Sequence, residues 1–368
     1  MLLLATEPLD INASLLSAFR DQPLNLSDLE SVRLVLNGDS IIDWNRANFR
    51  TIQEVDQYLR LHQLDISKPE DLWRLQYVHG EAVNYLEEHL GLSFPADLQK
   101  PRDVRDIFLQ ASHIGGFRRK QILACVLLKL MHVINHMEAA ELRYQTPLSE
   151  ADLMELAERR IMSAAEKMRA SGFPLVAFYG SRKARNSIIT KLIAKRENIA
   201  ATIFDKLRFR IVTHDRAHVL PAISWLTRNL FPFNYIIPGQ SHNNLMLFRQ
   251  MIREPPVAEL GEVLSSNGIM EEEEEELLKT EENPFSGGSY RMINFIADFP
   301  VRIDHLVDVR YGALLGRTVF VMVEFQVIDR QTSRENEEGE NAHRLYKDRQ
   351  RSIVQARLRK GGRRKRKG

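Results

Sequence analysis

The stretch VAFYGSRKARNSIITKL, Val176 to Leu192, sets four cationic side chains, Arg182, Lys183, Arg185 and Lys191, around Ser187, directly after an apolar run that reaches Gly180. A strand ending at a glycine, followed by a basic turn and a helix, can hold phosphate. The backbone can come close, the amides of a helix N-terminus point outward, and lysine and arginine supply charge. The spacing is not the G-x-x-x-x-G-K-[ST] of a P-loop. By itself the segment reads more readily as a basic, solvent-facing helix.

Two carboxylates lie in segments that suit a metal beside such a cradle. In TIFDKLRFRIVTHD, Asp205 stands at the entrance of a strand in which Arg208 and Arg210 share one face by the two-residue period. In TVFVMVEFQVID, Glu324 and Gln326 share a face, and Val319, Val321, Val323, Phe325 and Val327 form the other. A carboxylate in so apolar a strand is costly to bury unless a cation or a donor meets it. Asp205 and Glu324 together suggest a magnesium site, because a hard divalent ion prefers oxygen ligands and bridges protein to substrate phosphates. The plainer alternatives are a turn cap for Asp205 and an arginine partner for Glu324.

Other chemistry-bearing residues point to structure. Cys125, the single cysteine, sits in ILACVLL and reads as a small core residue; one cysteine excludes an internal disulfide and a cysteine zinc cluster. His132 and His136 are four apart on a helix, but Val133 stands where a zinc-protease motif has its glutamate, so they read as core-edge histidines. His214 and His218 share that spacing without an evident third ligand. The six glutamates Glu271 to Glu276 read as part of a solvated insertion.

The elements that must position these groups change character along the chain. Residues 10 to 170 predict helix after helix. The clearest is TPLSEADLMELAERRIMSAAEKMRASG, with Ser149 as N-cap, Asp152 at N3 and Gly172 ending it. KQILACVLLKLMHVINHMEAAEL is apolar around most of its circumference and predicts a central, buried helix. Strands are expected over Pro174 to Tyr179, Leu207 to Thr213, Met292 to Ile303 and Thr318 to Ile328, with helices between some of them, so the second half is built around a sheet. The expected organisation is a helical domain over 1–150, a sheet domain over 151–350 with an acidic insertion at 254–289, and a basic tail over 351–368.

The 368 residues carry a formal net charge of +2 and are 44% hydrophobic. Eight lysines and arginines lie in the last twelve residues, so the body is net acidic and the basic excess belongs to the tail. Clustered lysine and arginine bind polyphosphate backbones, which makes RNA or a ribosome a candidate partner of the tail; a solvated extension would look the same. The most apolar stretch, Ile122 to Met131, is short and interrupted by Lys129, and the amino terminus lacks a basic n-region. No membrane and a cytoplasmic location are expected.

In this order, GSRKARNSIITKL, DKLRFRIV, the tyrosine of SYRMIN, EFQVID and AHRLYK, the blocks resemble the synthetase domain of the RelA/SpoT family of alarmone pyrophosphokinases, over roughly residues 155 to 350. The resemblance implies an α+β fold, with the N-terminal helical domain followed by a nucleotidyltransferase-like mixed sheet flanked by helices. It implies transfer of pyrophosphate from ATP to the ribose 3′-hydroxyl of a guanine nucleotide, with Mg2+ as cofactor. Gly180, Lys183, Ser187 and Lys191 fall on the ATP-phosphate segment, with Arg182 one place later than the family's arginine, and Arg210 falls on the arginine that follows the metal-binding aspartate. Asp205 and Glu324 fall on the metal ligands, and Glu324 on the residue that activates the acceptor hydroxyl. Tyr290 falls on the tyrosine that stacks on the acceptor guanine; Gln326, His343, Tyr346 and Lys347 complete the substrate-binding set. The departures, Ser181 after the glycine, Arg291 to Asn294 after the tyrosine, and Ile328 and Asp329 after the glutamine, cluster on the acceptor side. They leave room for a different acceptor, an RNA end or another nucleotide, or for a silent nucleotide-binding protein.

Overall fold

The computed structural model describes residues 24–38, 49–112, 118–194, 204–254, 257–266, 290–306, 314–337 and 343–360. Helix α1, Leu26–Asn37, starts at Asn25, whose side chain accepts from the Asp28 amide while the Asp28 carboxylate accepts from the Asn25 amide at 2.6 Å. It stops at Gly38 in the left-handed region. Helices α2 (Ile52–Leu61), α3 (Pro69–Leu90), α4 (Asp106–Ser112) and α5 (Arg118–Gln145) close around a core of their own that includes Val55, Leu59, Leu75, Val78, Phe108 and Leu128. Helix α1 does not join it. Its Leu29, Val32 and Val35 enter the core of the sheet, so packing does not follow the chain-order division at residue 150.

Helix α5 is less enclosed than its composition predicts. One side meets α3 and α4 and another meets the sheet, while Ile122, Val133 and Met137 remain exposed. By length and composition alone, Arg119–Gln145 would pass as a membrane-crossing helix; half of its most apolar window is buried inside the fold. Cys125 is buried, as expected of a core residue, and burial pushes its thiol pKa up.

Helix α6, Glu150–Ala170, opens on the expected Ser149–Asp152 capping box. Beyond it come β1 (Leu175–Arg182), α7 (Arg185–Ala194), β2 (Leu207–Thr213), α8 (Val219–Asn229), β3 (His242–Asn243), α9 (Ala258–Ser266), β4 (Ile293–Arg302), β5 (Thr318–Asp329), α10 (Arg330–Glu337) and α11 (His343–Lys360). The five strands form one mixed sheet in the order β1-β2-β5-β4-β3, with β2 and β5 parallel and the other pairs antiparallel, so the fold is α+β. Phe209, Ile211, Phe295, Val323, Phe325 and Val327 bury one face against α6 and α8. Alternation sends Arg208, Arg210, Glu324 and Gln326 to the other.

Strand β1 runs three residues past its expected end, through Gly180. The glycine is not a break. It pairs with Phe209 on β2, and a Cβ added there would stand 2.7 Å from Phe209 Cε1. A neighbouring ring, rather than a turn, requires glycine.

The helical layer meets the sheet through buried polar groups. Tyr58 donates to Asn234 Oδ1 at 2.7 Å, and the Tyr235 hydroxyl and His62 Nδ1 share a hydrogen bond of 2.5 Å. Asn234 donates to His132 Nδ1, and His136 stacks on Phe320 with its Nδ1 3.3 Å from Asp298. The pair read as core-edge histidines is thus engaged with protein partners. Burial, with His136 and Arg160 nearby, pushes the His62 pKa down to about 3. At the other end of the chain, α11 packs along α7, and Arg357 donates to the Ile193 carbonyl at 2.7 Å and to the Ala194 carbonyl. The glutamate run Glu271 to Glu276 and tail residues 361–368 lie outside the described residues.

Candidate functional site

The turn after β1, helix α7 and the paired strands β2 and β5 build the site, with Tyr290 at its edge. The turn leaving β1 carries Lys183, whose amide donates to the Lys206 carbonyl at 2.8 Å, tying the basic segment to the entrance of β2. Helix α7 carries Lys191 in its last turn. Both lysines converge on Asp205: Lys191 Nζ lies 2.8 Å from Oδ1, and Lys183 Nζ bonds Oδ2. In the parallel register of β2 and β5, Arg208 stands opposite Glu324 and Arg210 opposite Gln326. Arg208 Nε donates to Glu324 Oε2 at 2.5 Å, and its Nη2 reaches Asp205 Oδ2 at 3.3 Å. Gln326 Nε2 donates to Glu324 Oε1 at 3.1 Å, Arg210 donates to Gln326 Oε1 at 3.0 Å, and Arg210 also donates to the Tyr290 hydroxyl at 3.0 Å. A continuous chain of polar contacts therefore runs Lys183–Asp205–Arg208–Glu324–Gln326–Arg210–Tyr290, with Lys191 joining at Asp205.

Glu324 is only 4% exposed, and the cation expected to accompany it is Arg208. Burial works to raise the Asp205 pKa, but the charges of Lys183 and Lys191 outweigh it and hold the carboxyl down to about 2. Burial likewise acts on Lys183 and leaves its pKa below the ordinary lysine value, although Asp205 opposes the shift. Arg208 moves upward, because Glu324 and Asp205 outweigh the desolvation of its guanidinium. With its carboxyl held that low, Asp205 is charged at neutral pH, and the lysines and arginines gathered around it make a local field that suits a polyanion with its counter-ion.

On the Tyr290 side, asparagines fix the backbone. Asn244 donates to the Tyr290 carbonyl at 2.8 Å and accepts from the Met292 amide at 2.7 Å. Asn336 accepts from the Arg291 amide at 3.0 Å and donates to the Arg291 carbonyl at 2.6 Å. Neither asparagine was legible as part of a site, nor was the bridging role of Arg208. The partners of the asparagines are 45 or more residues away, and Glu324 lies 116 residues from Arg208, so no local pattern marks these contacts.

The remaining expected residues are less gathered. Arg182 turns away from the chain of contacts and pairs with Glu158 of α6 at 2.6 Å. Ser187 lies on the first turn of α7, half-buried, between Lys183 and Lys191 in sequence. Gly180 faces Phe209, so the close approach that its missing side chain permits in this structure is to a ring. Lys347 is exposed on α11, whose backbone also carries His343 and Tyr346.

Among the described residues no group of three or more His, Cys, Asp or Glu side chains is arranged to hold a metal unaided. Two carboxylates in one polar chain do fit a magnesium ion, which usually takes one or two carboxylates and completes its shell with water and substrate phosphates. Asp205 and Glu324 would hold it.

No protein-family model matches the chain, and no curated protein matches it. Among solved structures it is similar to the small alarmone synthetase 1 of Bacillus subtilis, at 11% identity over 57% of this chain and 87% of that one, with a TM-score of 0.30. It is similar to that synthetase bound to its product pppGpp, at 13% identity over 62% and 90%, with a TM-score of 0.29. A GTP pyrophosphokinase family protein from Streptococcus pneumoniae matches at 9% identity over 57% and 84%, with a TM-score of 0.29. Likenesses this remote leave the chemistry to be read from the site itself.

Proposed function

We propose that this site transfers pyrophosphate from ATP to the ribose 3′-hydroxyl of a guanine nucleotide, the reaction of alarmone synthesis. One observation carries the reading. Residues from four separated segments, 183–191, 205–210, 290 and 324–326, which resemble successive blocks of one synthetase family, form a single chain of polar contacts on one sheet face.

In this reading Lys183 and Lys191 turn to the ATP phosphates and neutralise charge as it shifts in transfer. Arg210 and Gln326 orient the acceptor, and the Tyr290 ring stacks on its base. Glu324 accepts the proton of the acceptor 3′-hydroxyl. The oxygen so exposed forms a bond to the β-phosphorus of ATP, the bond from that phosphorus to the oxygen bridging it to the α-phosphorus breaks, and AMP leaves with the electron pair. A magnesium ion held by Asp205 and Glu324 would neutralise phosphate charge and steady the donor.

The test is incubation of the pure protein with ATP labelled in the β-phosphate, Mg2+, and GDP, GTP or bulk RNA, with mass analysis of the products. A guanine nucleotide gaining two phosphates is expected, with AMP formed in equal amount. Label in RNA alone would move the acceptor to an RNA end, as the departures around Arg291 to Asn294 allow. Measurable ATP binding without labelled acceptor would overturn the enzymatic reading. Glu324→Gln should lower transfer at least about a hundredfold, the scale of general-base catalysis, with ATP affinity kept.

A further inference from the structure

The proposed reaction asks Asp205 and Glu324 to take a divalent cation, yet a cation of the protein itself already joins them. Arg208 donates to Glu324 through Nε and to Asp205 through Nη2. Among the described hydrogen bonds it is the side chain that reaches both carboxylates. Every oxygen of the pair is engaged: Asp205 Oδ1 by Lys191, Asp205 Oδ2 by Lys183 and Arg208, Glu324 Oε2 by Arg208 and Glu324 Oε1 by Gln326.

We propose that Arg208 is a tethered counter-ion standing in the metal's place, and that a divalent ion binds only as its guanidinium withdraws from the two carboxylates; this rests on reading Asp205 and Glu324 as the metal's ligands. Glu324 is nearly fully buried in an apolar strand, where a lone negative charge is costly, so some cation must accompany it in every state of the site. The Arg208 backbone is pinned by strands on both sides, opposite Ser181 and Glu324, which leaves only its side chain to move. That side chain is 34% exposed, against 5% for Glu324, so it has an open side toward which to swing. Phosphate is the natural new partner, because a guanidinium pairs with it in a two-pronged hydrogen bond.

Two consequences follow. Metal alone must compete with a cation held in place by the fold, so it binds weakly. Nucleotide supplies Arg208 with another anion, so metal and nucleotide bind together more tightly than either alone, which keeps the site from committing metal without donor. Arg208 is in this sense a positioning residue for the metal.

The experiment is titration of the full-length chain with Mn2+ alone, without nucleotide, reading free Mn2+ by electron paramagnetic resonance. Arg208→Gln should bind one Mn2+ at least tenfold more tightly than the wild type, with Arg208→Lys between them. Adding Glu324→Gln to Arg208→Gln should remove the gain. Equal Mn2+ affinity in wild type and Arg208→Gln, both folded by circular dichroism, would overturn the proposal. Should Arg208→Gln not fold, equal affinity in wild type and Arg208→Lys overturns it just as well. The product assay separates this from the functional reading: a tenfold Mn2+ gain with no acceptor labelled keeps the counter-ion and removes pyrophosphate transfer, and labelled product without the gain does the reverse.

Discussion

Replacing Gly180 by alanine separates two physical roles for that glycine. If the residue serves the packing of β1 on β2, the new methyl meets Phe209, with Cε1 at 2.7 Å, Cζ at 3.1 Å and Cδ1 at 3.2 Å. Ordinary contact begins near 3.4 Å, so the ring must move by several tenths of an ångström. It has nowhere free to go, being fully buried between Phe178 and Phe325, with ring centroids 6.1 and 6.0 Å away. Overpacking of this kind costs about 1–3 kcal/mol. Alanine recovers roughly 0.5–1 kcal/mol over glycine within a strand, because it has less backbone freedom to lose. The expected net loss is about 1–2 kcal/mol, read as a lower midpoint in urea unfolding followed by circular dichroism. In a Phe209→Leu background the ring atoms that collide are gone, and the same substitution becomes neutral or stabilising. ATP affinity should stay within twofold throughout. Unchanged stability together with a marked loss of ATP affinity would refute the packing argument and return Gly180 to the phosphate.

The pKa of Asp205 is depressed from an unfolded value near 3.8 to about 2, so its stabilisation is complete above about pH 4 and lost as pH falls through 2. The stability difference between wild type and Asp205→Asn should therefore shrink by about 2 kcal/mol between pH 5 and 2, measured by urea midpoints; a pH-independent difference would contradict the paired site. His62 is held neutral, with a pKa of about 3 against 6.5 unfolded, so stability is complete above pH 6.5 and falls by about 1.4 kcal/mol for each unit of acidification below it. His62→Phe should flatten the acid limb of the stability curve between pH 6 and 3, and an unaltered slope would show that His62 is charged in the fold. Arg357→Ala removes the donor to the last carbonyls of α7 and should speed hydrogen exchange of residues 190–194 about fivefold, corresponding to roughly 1 kcal/mol for the lost charge-assisted cap. Unchanged exchange would show that α11 does not hold that end.

What the sequence determined is what strands and helices impose locally. The two-residue period put Arg208 with Arg210 and Glu324 with Gln326, the valines of β5 marked its buried side, and Ser149 with Asp152 marked the start of α6. Those rules act over a few residues, so they are written where the residues are. The tertiary structure decided which face meets which. The parallel register set Arg208 opposite Glu324 across 116 residues, brought Lys183 and Lys191 onto Asp205, let Asn244 and Asn336 fix the segment after Tyr290, and drew α1 into the core of the sheet. It also gave Gly180 its reason, a ring on the next strand. Pairing between distant segments depends on burying their apolar faces together, and that cooperative choice has no signature in any one stretch of chain.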